Sequence, residues 1–476
     1  MGEAKCRGSF DERKKTAIKR NKARLIKEFV GVDEETNKRL LAGINPFIEQ
    51  MDADEWDKRR TQILAVLNTH NTDEHDLETA KPIRVKDDEI AWYLFLCEQA
   101  VKDPLCNDVS QVARVAPYFS AIGDRWKYAD KVEGIENKIK DTLVRYRKDP
   151  DGIIFEILVA LSYAEKGWGV KFLDENPPEK SPDMVVKKGG KEFYIECKRH
   201  QRTSQYSQEE RNQFLKLWDK SHVELIKNNQ WIWFKGHFHT EISDLPDDFL
   251  KNIFKNNLPI SGNEQIIYDS DEAIIYARNI DVAAVREHLD SFQVKNPSYQ
   301  LTLLLGDDWA PPNSNVTTKM VANVSHYVEC DSSLLNTYIT DIAWACGITR
   351  YFDSDISIDK KARDITKQLS DAVNQVPYDK PSIIHIAAET LEGKEIEIKR
   401  TEKVMSTIPD FITDKPVVGV RFHRFQSNQT TDQLFLFDET VNKFQVDGID
   451  LSDIPESAVV VSDVEMKEGS HWELYD

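Results

Sequence analysis

SPDMVVKKGGKEFYIECKRH, residues 181–200, is the stretch that decides how the chain is read. Two short runs rich in β-branched and aromatic residues flank Lys188-Gly189-Gly190, a pattern that predicts a β-hairpin. The second run, residues 191–198, alternates with period two. Phe193, Ile195 and Cys197 are expected on one face, and Glu192, Tyr194, Glu196 and Lys198 on the other. An acid and a base two residues apart therefore share a face, and Asp183 at the mouth of the first strand is within reach across the hairpin. Two carboxylates able to hold a hard cation, with a lysine beside them, are what phosphodiester hydrolysis needs: neutralised phosphate charge and a positioned water.

Upstream, Asp149-Pro150-Asp151-Gly152 breaks the pattern and starts a helix expected from Ile153. IIFEILVALSYAEKG is apolar almost all round, so it is expected to be buried against a sheet. Glu156 inside it is costly unless it meets a cation or partner. It is either a fourth site residue or a first-turn acid favoured by the helix dipole. Residues 169–173 read as a strand, and an acidic loop from Asp174 to Lys180 leads into the hairpin.

The short motifs recur. Glu-x-Lys also occurs at Glu3, Glu12, Glu136, Glu392, Glu397 and Glu465, and Pro-Asp at 150–151, 246–247 and 409–410. Only Asp183 with Glu196 joins the two across a hairpin behind a buried helix. Glu397-Ile398-Lys399 lies in strand-like sequence with no Pro-Asp before it and reads as a solvated strand face.

On these residues the chain resembles the PD-(D/E)XK nuclease superfamily, with its restriction-endonuclease-like αβββαβ core. The resemblance implies an α/β fold and a metal-dependent endonuclease acting on DNA, with RNA an alternative substrate. It also implies Asp183 and Glu196 as Mg²⁺ ligands (Mn²⁺ able to substitute), Lys198 as the catalytic lysine and Glu156 as an auxiliary acid joining the metal set. The carbonyl of Cys197 offers a third oxygen. A role in restriction or defence, as a homodimer or in a larger complex, is compatible with it. The alternative is a catalytically inactive nuclease-fold protein that binds nucleic acid or assembles with partners.

Two later helix–strand pairs compete to complete the core: residues 208–227 with 231–238, and 359–376 with 382–388. The second is preferred. The expected organisation is then a helical region at 1–85, a helical segment at 86–148 and a nuclease core from 149–200 plus about 356–390. An inserted α/β elaboration fills 201–355, and a mostly β region with an acidic tail fills 391–476. Within these, Asp33 and Asp54 are expected helix N-caps, 109–147 is expected to be helical, and 301–305, 417–425 and 433–437 are expected strands.

The whole sequence bounds the function. Its 476 residues, 40% apolar and 30% charged, describe a globular protein with room for two or three domains. No apolar run is long enough to span a bilayer, and the first thirty residues lack the apolar segment of a signal peptide, so a cytoplasmic location is expected. Six cysteines without CxxC pairing fit reduced thiols. A net charge of −19 argues against a surface coated in basic residues, though residues 1–30 hold ten Lys/Arg against four Asp/Glu. Arg199, His200, Gln201 and Arg202 are expected either at a phosphate or at a solvated strand exit. Arg421, His423 and Arg424 read as surface residues or DNA contacts. Trp231, Trp233 and Phe238 read as packing residues, and His237 with His239 lacks a third zinc ligand.

Overall fold

The computed structural model describes residues 34–69, 85–174, 181–201, 203–306, 316–326, 332, 334–411, 413–428, 436–445, 451–452, 454, 458–461 and 469–470. The helix expected at 10–29, the capping role of Asp33, most of the loop 174–180 and most of the acidic tail lie outside these residues.

The expected hairpin forms. Strand β3 (Met184–Lys188) pairs antiparallel with β4 (Lys191–Arg199), from Lys188↔Lys191 to Met184↔Ile195. Gly189 and Gly190 make the two-residue turn, with φ of 56° and 83°. Two successive positive φ values suit glycine, and they give the turn the twist that antiparallel strands need. Before β3 lie β1 (Val132–Glu133) and β2 (Gly169–Phe172), and after β4 the sheet continues with β11 (Ser382–Glu389), β12 (Val417–Asn428) and β13 (Leu436–Gln445). The strand order is β1-β2-β3-β4-β11-β12-β13. β4 runs parallel to β11, with Glu196 beside Ile384 and Lys198 beside Ile386. The strand adjoining the hairpin thus comes from residues 382–389, some 180 positions along the chain.

Helices cover both faces, which is why all eight residues of β11 are buried. Helix α6 (Asp151–Glu165) packs with Phe193, Ile195 and Cys197 on one face. On the other, α12 (Thr366–Gln375) sets Leu369, Ala372 and Val373 against Ile384 and Ile386, and α13 (Lys394–Asp410) adds Val404.

Behind α6 stand α1 (Glu34–Ile48), α2 (Ala53–Thr69), α3 (Glu89–Lys102) and α4 (Val109–Arg125). Gly43 on α1 and Gly123 on α4 allow a close helix crossing. A Cβ on Gly43 would lie 1.8 Å from Phe119 O, and one on Gly123 1.9 Å from Arg39 O. The 109–147 region is not one helical run: Gly134 at φ 89° separates β1 from α5 (Ile135–Val144). The cap of α2 is Asp52, whose Oδ1 accepts from Glu55 N at 2.6 Å, rather than Asp54.

Residues 205–352 build a second sheet. Helix α7 (Gln205–Asn228) leads into β5 (Ile232–Phe238), followed by α8 (Phe249–Asn257), β6 (Gln265–Asp269), β7 (Ala273–Asn279), α9 (Val282–Ser291), β8 (Val294–Lys295), α10 (Tyr299–Gly306), β9 (Val316–Ser325) and β10 (Tyr338–Phe352). The order is β6-β7-β5-β10-β8, with β9 also on β10. Trp233 and Phe238 pack in its cores. The chain returns through α11 (Asp355–Lys361), which is separate from α12, so 359–376 is not one helix.

Two further expectations are corrected. Residues 301–305 are helical, not a strand: Ser298 Oγ accepts from Leu301 N at 3.2 Å and caps α10. Glu397-Ile398-Lys399 lies in α13, where Ile396, Arg400 and Val404 are buried at four-residue spacing; Glu397 is 1% exposed and paired to Arg400. Helical periodicity therefore prevails over the local β-branched run. Of the strand expected at 433–437, residues 436–437 lie in β13 and residues 433–435 fall outside the described residues. Among the described residues no helix is long and apolar enough to cross a membrane.

Candidate functional site

Extending the β3–β4 register one residue past Met184↔Ile195 sets Asp183 opposite Glu196, where side chains share a face and like charges repel. Asp183 is held from two sides. Its carbonyl accepts from Leu173 N at 2.9 Å, and its Oδ2 accepts from Cys197 N at 2.6 Å. Glu196 is fully buried and ion-paired through Oε1 to Lys198.

Helix α12 lies over this face and contributes a residue that sequence reasoning missed. With its amide oxygen toward the lysine, Gln375 accepts from Lys198 Nζ at 2.6 Å and donates to Glu196 Oε1 at 3.1 Å. Lys415 fixes the end of α12: its Nζ donates to the carbonyls of Val373 and Val376 at 2.7 Å each. No spacing in the sequence links Gln375 to residues 196–198, because the contact is made across about 180 positions of chain.

Electrostatics mark the pair. Burial pushes Glu196 up to about 7 from an ordinary 4.5; Lys198 opposes the rise and Glu156 adds to it. Burial, then the charges of Glu156 and Glu196, raise Asp183 well above its ordinary value. For Lys198, burial works against the ammonium, but Glu196 and Asp183 outweigh it and the net direction is upward. Burial alone pushes the Cys197 thiol well up, with the neighbouring acids adding to it, which leaves an inert core side chain.

Glu156 is in the second turn of α6, so the dipole argument applies to Asp151 at the first position rather than to Glu156. Glu156 Oε2 is bonded to Lys138 Nζ on α5 at 2.6 Å. Its field reaches Asp183, yet its cation is Lys138, a second residue that the sequence did not reveal.

Arg199 is neither at a solvated exit nor open to a phosphate. Its side chain is 5% exposed, paired to Glu389 and bonded to Tyr118 Oη at 3.0 Å. Arg114 closes the same network through Glu389 Oε1 and Asp151 Oδ2, both at 2.7 Å. The ends of β4 and β11 are thereby tied to α4 and α6. Arg421, His423 and Arg424 are also internal, each 1% exposed or less. His423 bridges His385 Nδ1 (3.0 Å) and Glu439 Oε1 (2.8 Å). His239 Nδ1 lies 2.8 Å from Asp353, and His237 stacks on Tyr351.

Among the described residues no three His, Cys, Asp or Glu side chains converge as a ready-made metal cage. The hairpin still suits a hard cation with few protein ligands. Among the described residues Glu196 Oε2 is buried with no hydrogen-bond partner, and the charge of Glu196 raises the pKa of Asp183, a repulsion that a cation between the two carboxylates would relieve. Mg²⁺ in such sites keeps most of its waters and takes one or two carboxylates. Comparison with family models, curated proteins and solved structures finds no match to this chain.

Proposed function

We propose that the protein is a Mg²⁺-dependent phosphodiester hydrolase, a DNA endonuclease. The observation that supports this best is the Asp183/Glu196 pair on one strand face, with the orphaned Oε2 of Glu196 and Lys198 alongside. Asp183 and Glu196 hold the cation, with the carbonyl of Cys197 as a third oxygen, and Glu156 joins only on releasing Lys138. The cation supplies positive charge for the phosphate oxygens and acidifies a nearby water.

In the metal-free protein Glu196 and Asp183 raise the Lys198 pKa and so favour its ammonium form. Its part is to orient the attacking water and to stabilise the developing negative charge. Gln375 holds Lys198 in register with Glu196. The assay is cleavage of single- and double-stranded DNA and RNA with Mg²⁺, Mn²⁺ or chelator, alongside Lys198→Ala. Metal-dependent DNA cleavage lost in the variant supports the reading, and cleavage unaffected by the substitution overturns it.

A further inference from the structure

The face that carries Glu196 and Lys198 does not end at the lysine. His200 follows at the same parity, its N–H still bonded to Ala387 O at 2.8 Å, so the chain remains extended there. Two residues along a strand span about 7 Å, similar to the step between successive phosphates of a nucleic-acid strand.

His200 is 6% exposed. Gln368 Nε2, one α12 turn-pair from Gln375, lies 3.3 Å from His200 Nδ1 as its donor, which leaves the ring proton on Nε2. That Nε2 is buried and has no acceptor among the described residues. Arg363, in the link between α11 and α12, donates through Nη2 to Gln201 O at 2.8 Å, while its Nε is buried without a partner. Arg363 makes no ion pair among the described residues. Of the neighbouring charges, Glu397 pairs with Arg400 through Oε1 while its Oε2 is buried without a partner among the described residues, and Glu392 acts on Arg363 through its field. The charge of Arg363 acts on His200, so the two lie in one neighbourhood, and each has a buried donor without an acceptor among the described residues; a phosphate oxygen, which only accepts, suits both.

We propose that His200 and Arg363 form a second phosphate subsite, which takes the phosphate adjacent to the one at Lys198 on the same nucleic-acid strand. The assignment rests on the hydrolase reading and narrows its substrate to a polymer with consecutive phosphates. Burial, then Arg363 and Arg400, holds the unliganded imidazole down at about 3, and a bound phosphate reverses the sign of its surroundings.

The test is fluorescence anisotropy of a labelled oligonucleotide in EDTA across a salt series, with wild type and Arg363→Gln. Loss of one phosphate contact predicts binding weakened about tenfold and a log–log salt slope smaller by roughly 0.7 to 0.9. Equal affinity and slope in a folded variant overturn the subsite. On the unaltered protein, NMR titration of the His200 ring serves as a second measurement. The oligonucleotide should raise its pKa, and one with an uncharged methylphosphonate backbone should not. A ring that moves with inorganic phosphate but not with the oligonucleotide, or with neither, also overturns the proposal. Cleavage run on the same preparations separates the two readings. A lost slope without cleavage removes hydrolysis and keeps the subsite, whereas cleavage with an unchanged slope does the reverse.

Discussion

Glu196→Gln is predicted to stabilise the metal-free protein while removing the charge that the proposed chemistry needs. Glu196 is completely buried, and its folded pKa of about 7 stands above an ordinary 4.5. A raised folded pKa means the native state holds the proton more tightly. The stability from that proton is complete below pH 4.5 and is lost as pH climbs through about 7. At roughly 1.36 kcal/mol for each pH unit between the two values, ionising Glu196 costs the fold about 3 kcal/mol above pH 8. Glutamine keeps the shape and cannot ionise, though Lys198 loses its counter-charge, so a net gain of about 1–3 kcal/mol is expected. The assay is urea unfolding of both proteins in EDTA from pH 4.5 to 8.5, taking the difference at each pH so that groups outside the Asp183–Glu196–Lys198 cluster cancel. The stability of Glu196→Gln relative to wild type should rise across that range. A flat difference, or a variant less stable at pH 8.5 than at 4.5 relative to wild type, refutes the reasoning.

Other substitutions probe the frame and the site. Gly43→Ala or Gly123→Ala forces a Cβ into a facing carbonyl and should cost about 1–3 kcal/mol or more, read as a lower urea midpoint with loss of near-ultraviolet signal. Arg199→Ala leaves Glu389 buried with Arg114 as its remaining cation, and should cost about 3–5 kcal/mol in the same assay. Gln375→Ala should slow cleavage about tenfold and shift the pH–rate profile, because Lys198 and Glu196 lose a shared partner. A merely structural role would leave that profile where it was.

The parts legible in sequence were those with local causes. The hairpin declared itself through alternation and Gly189-Gly190, and the buried helix through its apolar circumference ahead of residue 169. The strand beside β4 is harder, because 382–389 arrives only after a second sheet is built, and its largely apolar run can only be matched by pattern. The misread segments, 301–305 and 397–399, are short apolar or β-branched runs whose helical state depends on a Ser298 cap and on burial spaced at four residues. Charged residues misled most. Arg199, Arg421, His423 and Arg424 were expected at or near solvent, as such residues usually are, yet each is paired in the interior. Gln375 reaches the site directly, Lys138 through Glu156, and Lys415 by fixing the end of the helix that carries Gln375, all through tertiary contacts that leave no mark on the sequence near residue 196.

Hydrolysis of phosphodiesters by Asp183, Glu196 and Lys198 with Mg²⁺ is the proposed activity. The most direct measurement is the cleavage rate of duplex DNA, with Mg²⁺ and with chelator, for wild type, Asp183→Asn and Lys198→Ala. Wild type should cleave in a Mg²⁺-dependent manner, and each folded variant should lose about 100-fold or more of that rate. Cleavage at the wild-type rate by both variants, or no cleavage of any DNA or RNA substrate by wild type, would contradict it.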